Sequence, residues 1–213
     1  MAQNVVGSSV SANQLKDFFR QIADGGLTGD HLQAIIEHRN PFDKPTRITF
    51  TVIGAGLTGA EWITRLETRG HKLYDWARDI ITKPDYDENH RLEVGKEYKV
   101  TLVFGKEIRK DFERTTANLK AKAVQEFGEQ SVAGLKGELA LLIREKFTNA
   151  ELETMGIYYI AVLHEPIIDS GGGASVLDSN RNGGGSYVGA GYDSPGRQWR
   201  GSGAFAFLAS TSD

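Results

Sequence analysis

The run 157–163 (IYYIAVL) constrains this chain more than any other segment, because it is almost wholly apolar and β-rich. A strand without a polar face has to be covered on both sides, which places it in the middle of a sheet rather than at an edge. Two further segments supply sheet partners. In 47–53 (RITFTVI), Ile48, Phe50 and Val52 alternate with threonines, and in 98–104 Tyr98, Val100, Leu102 and Phe104 alternate with Lys99 and Thr101. Period-two alternation marks half-buried strands. A last strand is expected at 204–209 (AFAFLA).

Helical spacing fills the intervals. Leu15, Phe18, Phe19 and Ile22 form one apolar stripe, and Leu32, Ile35 and Ile36 a second that Thr28 can cap and that Asn40-Pro41 stops. Thr58 with Glu61, and Thr148 with Glu151, have capping-box spacing; Gly70 and Gly156 sit where left-handed C-terminal caps belong. Asp75 is placed to cap a helix through Trp76, Ile80 and Ile81, and further helices are expected around Leu119–Phe127 and Leu135–Ile143. The expectation is one α+β domain over 1–213: a four- or five-stranded mixed or antiparallel sheet, helices on one face, and an N-terminal helical pair (1–45) packed on the body.

Composition narrows the class without naming a function. With 28 acidic and 25 basic residues intermingled, the chain has a formal net charge of -3 and no basic excess of the kind nucleic-acid binding leaves. It has no cysteine, which removes thiolate chemistry and fits a reducing compartment. The first twenty residues lack a secretory pattern, and no apolar run reaches membrane-spanning length, so a soluble cytoplasmic protein that does not engage membranes is expected.

Four patterns carry candidate chemistry. Gly54-Ala55-Gly56-Leu57-Thr58-Gly59 is a G-x-G-x-x-G between a strand and a helix, with Asp75 downstream, as in a turn that cradles the pyrophosphate of NAD(P). The segment after Asp75 lacks the alternating β and α units such a domain needs, and helix and turn punctuation alone explains Gly54, Gly56, Thr58 and Gly59, which makes it the favoured reading. Asp178, Asn180 and Asn182 ahead of Gly183 reproduce the first half of a Ca2+ loop, but Gly189 stands where the bidentate glutamate belongs. His164, Glu165 and Asp169 follow the most apolar strand and sketch a general base beside carboxylates, without a nucleophile.

The fourth pattern is the glycine-dense stretch 171–203, read as a long surface or binding loop. Tyr187, Tyr192, Arg197 and Trp199 give it anchors that a flexible linker lacks. The leading functional expectation is a non-catalytic binding module that meets its partner through this loop or through the N-terminal helices. The alternative is a nucleotide-binding enzyme using Gly54–Gly59.

At LQAIIEHRNPF (32–42), GLTGAEWI (56–63) and YYIAVLHEPIIDS (158–170) the chain resembles a family of uncharacterised hypothetical proteins from bacterial genomes, along most of its length. The resemblance implies no activity, fold or site residue.

Overall fold

A computed structural model describes residues 11–36, 47–108 and 110–209. The chain divides into two compact units, Met1–Thr46 and Arg47–Asp213. The described part of the first comprises α1 (Ala12–Ala23) and α2 (Gly29–Ile36). Ser11 caps α1 through a reciprocal capping box with Gln14, and the Thr28 hydroxyl accepts from the His31 amide at the start of α2. The expected stop at Asn40-Pro41 lies outside the described residues.

The second unit runs β1 (Thr49–Ile53), α3 (Gly59–Thr68), β2 (Lys72–Leu73), α4 (Asp75–Ile81), α5 (Pro84–Asn89) and β3 (Glu97–Phe104). It continues with α6 (Thr116–Phe127), α7 (Gln130–Ala133), α8 (Glu138–Lys146), α9 (Asn149–Thr154), β4 (Tyr159–Val162), β5 (Ile167–Ile168), β6 (Ala174–Asn182), β7 (Gly185–Tyr192) and β8 (Gly203–Leu208). Among the described residues the strands form one sheet in the order β1-β3-β8-β4-β6-β7-β2, with β5 added beside β6. The β4–β8 and β2–β7 pairs are parallel and the others antiparallel, so the sheet is mixed.

An α+β fold with a mixed sheet is therefore what the chain adopts, but the sheet has eight strands where four or five were expected. Two of the additional strands, β2 and β5, are two residues long and too short to show periodicity. The other two, β6 and β7, lie inside the glycine-dense stretch 171–203. Half of that supposed loop is a long antiparallel hairpin, paired from Ser175↔Tyr192 to Asn182↔Gly185 around a Gly183-Gly184 turn. The backbone conformation that favours glycine falls at Gly185, the residue that re-enters the ladder, with a φ of 138°.

β4 lies between β6 and β8, and Ile160, Ala161 and Val162 are buried, as its apolar run demands. The capping boxes at Thr58/Glu61 and Thr148/Glu151 form, and Gly70 and Gly156 end their helices at positive φ. At α4 the expectation needs correcting. Asp75 is its first residue and Tyr74 the cap, without a side-chain cap hydrogen bond, so Asp75 acts only as a first-turn acid. Among the described residues, no helix is long and apolar enough to cross a membrane.

Candidate functional site

Alternation along β6 sorts its side chains between two environments. Ser179 points toward α8, its hydroxyl donating to the Ala140 carbonyl at 2.6 Å. Asp178 and Asn180 therefore belong to the opposite face, where the Asn180 amide donates to Asp178 Oδ1 at 2.7 Å. Across the ladder from Asp178 lies Gly189. A Cβ there would stand 2.7 Å from Asp178 Oδ1 and 2.5 Å from Asn180 Nδ2, so only glycine leaves room for the pair. Gly191 does the same for Trp199, whose ring a Cβ would meet at 2.7 Å.

The segment between β7 and β8 folds over this face and is fastened at Trp199. The Trp199 indole donates to Thr116 Oγ1 at 3.0 Å, its amide to the Arg114 carbonyl at 2.8 Å, and Arg114 Nε returns a bond to the Trp199 carbonyl at 2.8 Å. Buried Trp199 packs edge-on against Phe205, and the Arg197 guanidinium lies 5.1 Å from its ring centroid. Tyr159 closes one side, its hydroxyl donating to the Arg200 carbonyl at 3.1 Å. Tyr74 stands at another side, stacked on Tyr187 with centroids 4.6 Å apart and accepting a hydrogen bond from Asn182. Between them lies a cleft of about 260 Å³ lined by Tyr74, Tyr159, Asp178, Asn180, Arg197 and Trp199, with Tyr158 at its margin.

The electrostatics of the cleft centre on Asp178, which is 9 % exposed. Burial pushes its carboxyl from 3.8 up to about 6; the Asn180 hydrogen bond and the Arg197 charge offset only part of that. Burial likewise raises the Tyr159 phenol to about 12, so it is a neutral hydroxyl at every physiological pH. The cleft thus presents a carboxyl, an amide, a guanidinium and aromatic rings, a set that recognises small polar ligands with a flat or apolar part.

The residues singled out from sequence fall in four places. Of the aromatic and basic residues in 171–203, Arg197 and Trp199 line the cleft and Tyr187 supports Tyr74 from behind. Tyr192 packs instead on Trp76, with centroids 5.2 Å apart. Asp178, Asn180 and Asn182 occupy alternate positions of an extended strand, so their ends are spread over roughly 13 Å rather than curled around one point. Asn182 is engaged with Tyr74 and the Gly184 amide. Among the described residues no group of three or more His, Asp or Glu side chains is placed to hold a metal ion.

The Gly54–Gly59 turn does gather backbone N–H groups around an anion, but the anion is the protein's own. Ala55 and Gly56 donate to Glu138 Oε1 at 3.0 and 2.8 Å, Leu92 donates to the other oxygen, and Gly59 donates to Asp87 at 2.8 Å. Among the described residues, β1, the strand leading into the turn, pairs only with antiparallel β3 at the sheet edge. Those amides are committed to side chains, and Gly56 adopts positive φ to make the bend. Asp75 lies exposed on α4.

His164 is fully enclosed. Nδ1 is 2.6 Å from the Glu165 carbonyl, and Nε2 accepts the Leu177 amide at 3.0 Å, which fixes Nδ1 as the protonated nitrogen. Burial drives it down to about 3, and its only basic lone pair is in use, so it ties β6 to the end of β4. Glu165 reaches Lys120 at 3.2 Å. Asp169 accepts from the Trp76 indole at 2.7 Å and from the Gly171 and Gly173 amides at 2.8 Å, which hold its carboxyl below the usual range. These three residues organise the chain after β4; they do not assemble a proton-transfer site.

Sequence reasoning missed Tyr74, Tyr158 and Tyr159 as site residues and gave Asp178 and Asn180 a different role. The available signal was SVLDSN (175–180), in which Asp178 alternates with Leu177 and Ser179 as one face of a strand does. No protein-family model matches the chain, and neither the curated proteins nor the solved structures contain a match.

Proposed function

We propose that this protein is a binding module for a small molecule, held in the cleft between the β6–β7 hairpin and the segment that carries Arg197 and Trp199. The observation behind this reading is Asp178. A nearly buried carboxyl with a single amide partner is costly to keep ionised, and such a residue stays in a fold when something outside the fold completes its bonding. Glycines at 189 and 191 keep the Asp178 and Trp199 side chains in place, which favours a preformed site. The described lining groups suit recognition better than bond-making, because no nucleophile stands beside a base among them.

A ligand that binds only the folded state raises the unfolding temperature. The test is a thermal-shift panel of nucleotides, nucleosides, monosaccharides, amino acids and divalent cations on the full chain, repeated with Asp178→Asn. At least one small organic compound is expected to raise Tm in the native protein and to lose most of that shift in the variant. Shifts that survive in Asp178→Asn but vanish in Gly56→Val would move the site to the Gly54–Gly59 turn.

A further inference from the structure

Two opposite charges line this cleft without meeting. Arg197 sits over Trp199, gives one N–H to the Tyr192 carbonyl, and forms no ion pair among the described residues. Asp178 receives the Asn180 amide and likewise forms no ion pair among the described residues. Both line the same 260 Å³ space. A guanidinium and a carboxylate that share a cavity normally close on one another, since a bidentate pair is the strongest arrangement open to them. Here each is held back. The Arg197 guanidinium is tied to the Tyr192 carbonyl and to the Trp199 ring, and Asp178 rises from strand β6 into the notch left by Gly189.

From this separation we infer that the ligand is a small zwitterion of the amino-acid type, its ammonium on Asp178 and its carboxylate on Arg197, with its side chain against the tyrosine and tryptophan rings. The assignment rests on the cleft being a ligand site. An ammonium is the group that best completes Asp178, because the free oxygen of a nearly buried carboxylate calls for a charged donor. The remaining Arg197 N–H groups form a planar fork suited to a carboxylate. The space is smaller than a drug-sized pocket, which runs from about 300 Å³ upward. That suits one amino acid rather than a peptide or a dinucleotide.

The experiment is isothermal titration of the full chain with the common L-amino acids, and with phenylalanine's two half-molecules, phenethylamine and 3-phenylpropionate. At least one aromatic or large apolar amino acid is expected to bind, and phenylalanine to bind at least roughly tenfold tighter than either half-molecule, since each lost charge-assisted contact is worth about that much. Asp178→Asn is expected to cut phenylalanine binding by roughly tenfold or more while leaving 3-phenylpropionate unchanged, and Arg197→Gln to do so while leaving phenethylamine unchanged. The unaffected half-molecule in each variant shows that the cleft is still folded. Equal or tighter binding of either half-molecule overturns the zwitterion and leaves the cleft reading standing. So does silence of every amino acid while a nucleoside or monosaccharide binds in a manner lost with Asp178→Asn. Silence across both sets removes both readings.

Discussion

Replacing Asp178 by Asn is expected to make the protein more stable near neutral pH, and the size of the gain follows from the site. Burial lifts the carboxyl from 3.8 to about 6. A displacement of about two pK units corresponds to about 3 kcal/mol between the ionised and protonated forms. Between those two pH values the unfolded chain has released the Asp178 proton while the folded chain keeps it. The side chain's contribution to stability is therefore whole below pH 3.8 and is lost as the pH rises through about 6. An amide of the same shape does not titrate. The stability difference between variant and native protein should be near zero at about pH 4 and grow to about 3 kcal/mol by about pH 7.5. Urea unfolding followed by circular dichroism at the two pH values, on both proteins at one ionic strength, measures it directly. Taking the difference between proteins cancels the titration of every other carboxylate. A variant equally destabilised at both pH values would refute the reasoning, because the cost would then lie in lost packing or hydrogen bonding and not in a buried charge.

The other expectations concern the scaffold. Gly191→Ala places a methyl 2.7 Å from the Trp199 ring and should displace it, costing about 1–3 kcal/mol in urea unfolding and shifting the tryptophan fluorescence. Glu138→Ala strips the Ala55, Gly56 and Leu92 amides of their acceptor and should cost at least about 3 kcal/mol by the same assay, whereas surface changes at Asp75 should cost almost nothing. His164 is held neutral, down to about 3 from 6.5, so its contribution to stability is whole above pH 6.5 and is lost as the pH falls toward 3, by up to about 5 kcal/mol. The slope of urea stability against pH over that range should flatten in His164→Gln.

What the sequence made legible was whatever a local rule governs. The strands at β1, β3, β4 and β8 announce themselves by alternation or by an unbroken apolar run, and the two capping boxes in the second unit by the reciprocal bonds of Ser/Thr and Glu three residues apart. The hairpin was hidden because glycine carries no strand propensity, and its glycines at 189 and 191 are set by residues distant in sequence or across the ladder. Gly191 answers to Trp199, and Gly189 to Asp178 and Asn180; no local pattern encodes either need. The G-x-G-x-x-G turn shows the converse. Its amides converge on an anion, but the anion comes from Glu138 on a helix far along the chain, and only tertiary structure brings it there. Tyr74 and Tyr159 were silent because a tyrosine on a strand or before a helix is more often packing than site.

The cleft makes a spatial claim that a nuclear magnetic resonance titration of the isotopically labelled chain checks residue by residue. With a compound selected from the thermal-shift panel, amide shifts are expected to cluster at Asp178, Asn180, Ala190, Gly191 and Arg197, together with the Trp199 indole resonance, while Ala55, Gly56 and Gly59 stay unchanged. Shifts centred on the Gly54–Gly59 turn, or spread without preference for the hairpin, would contradict the account.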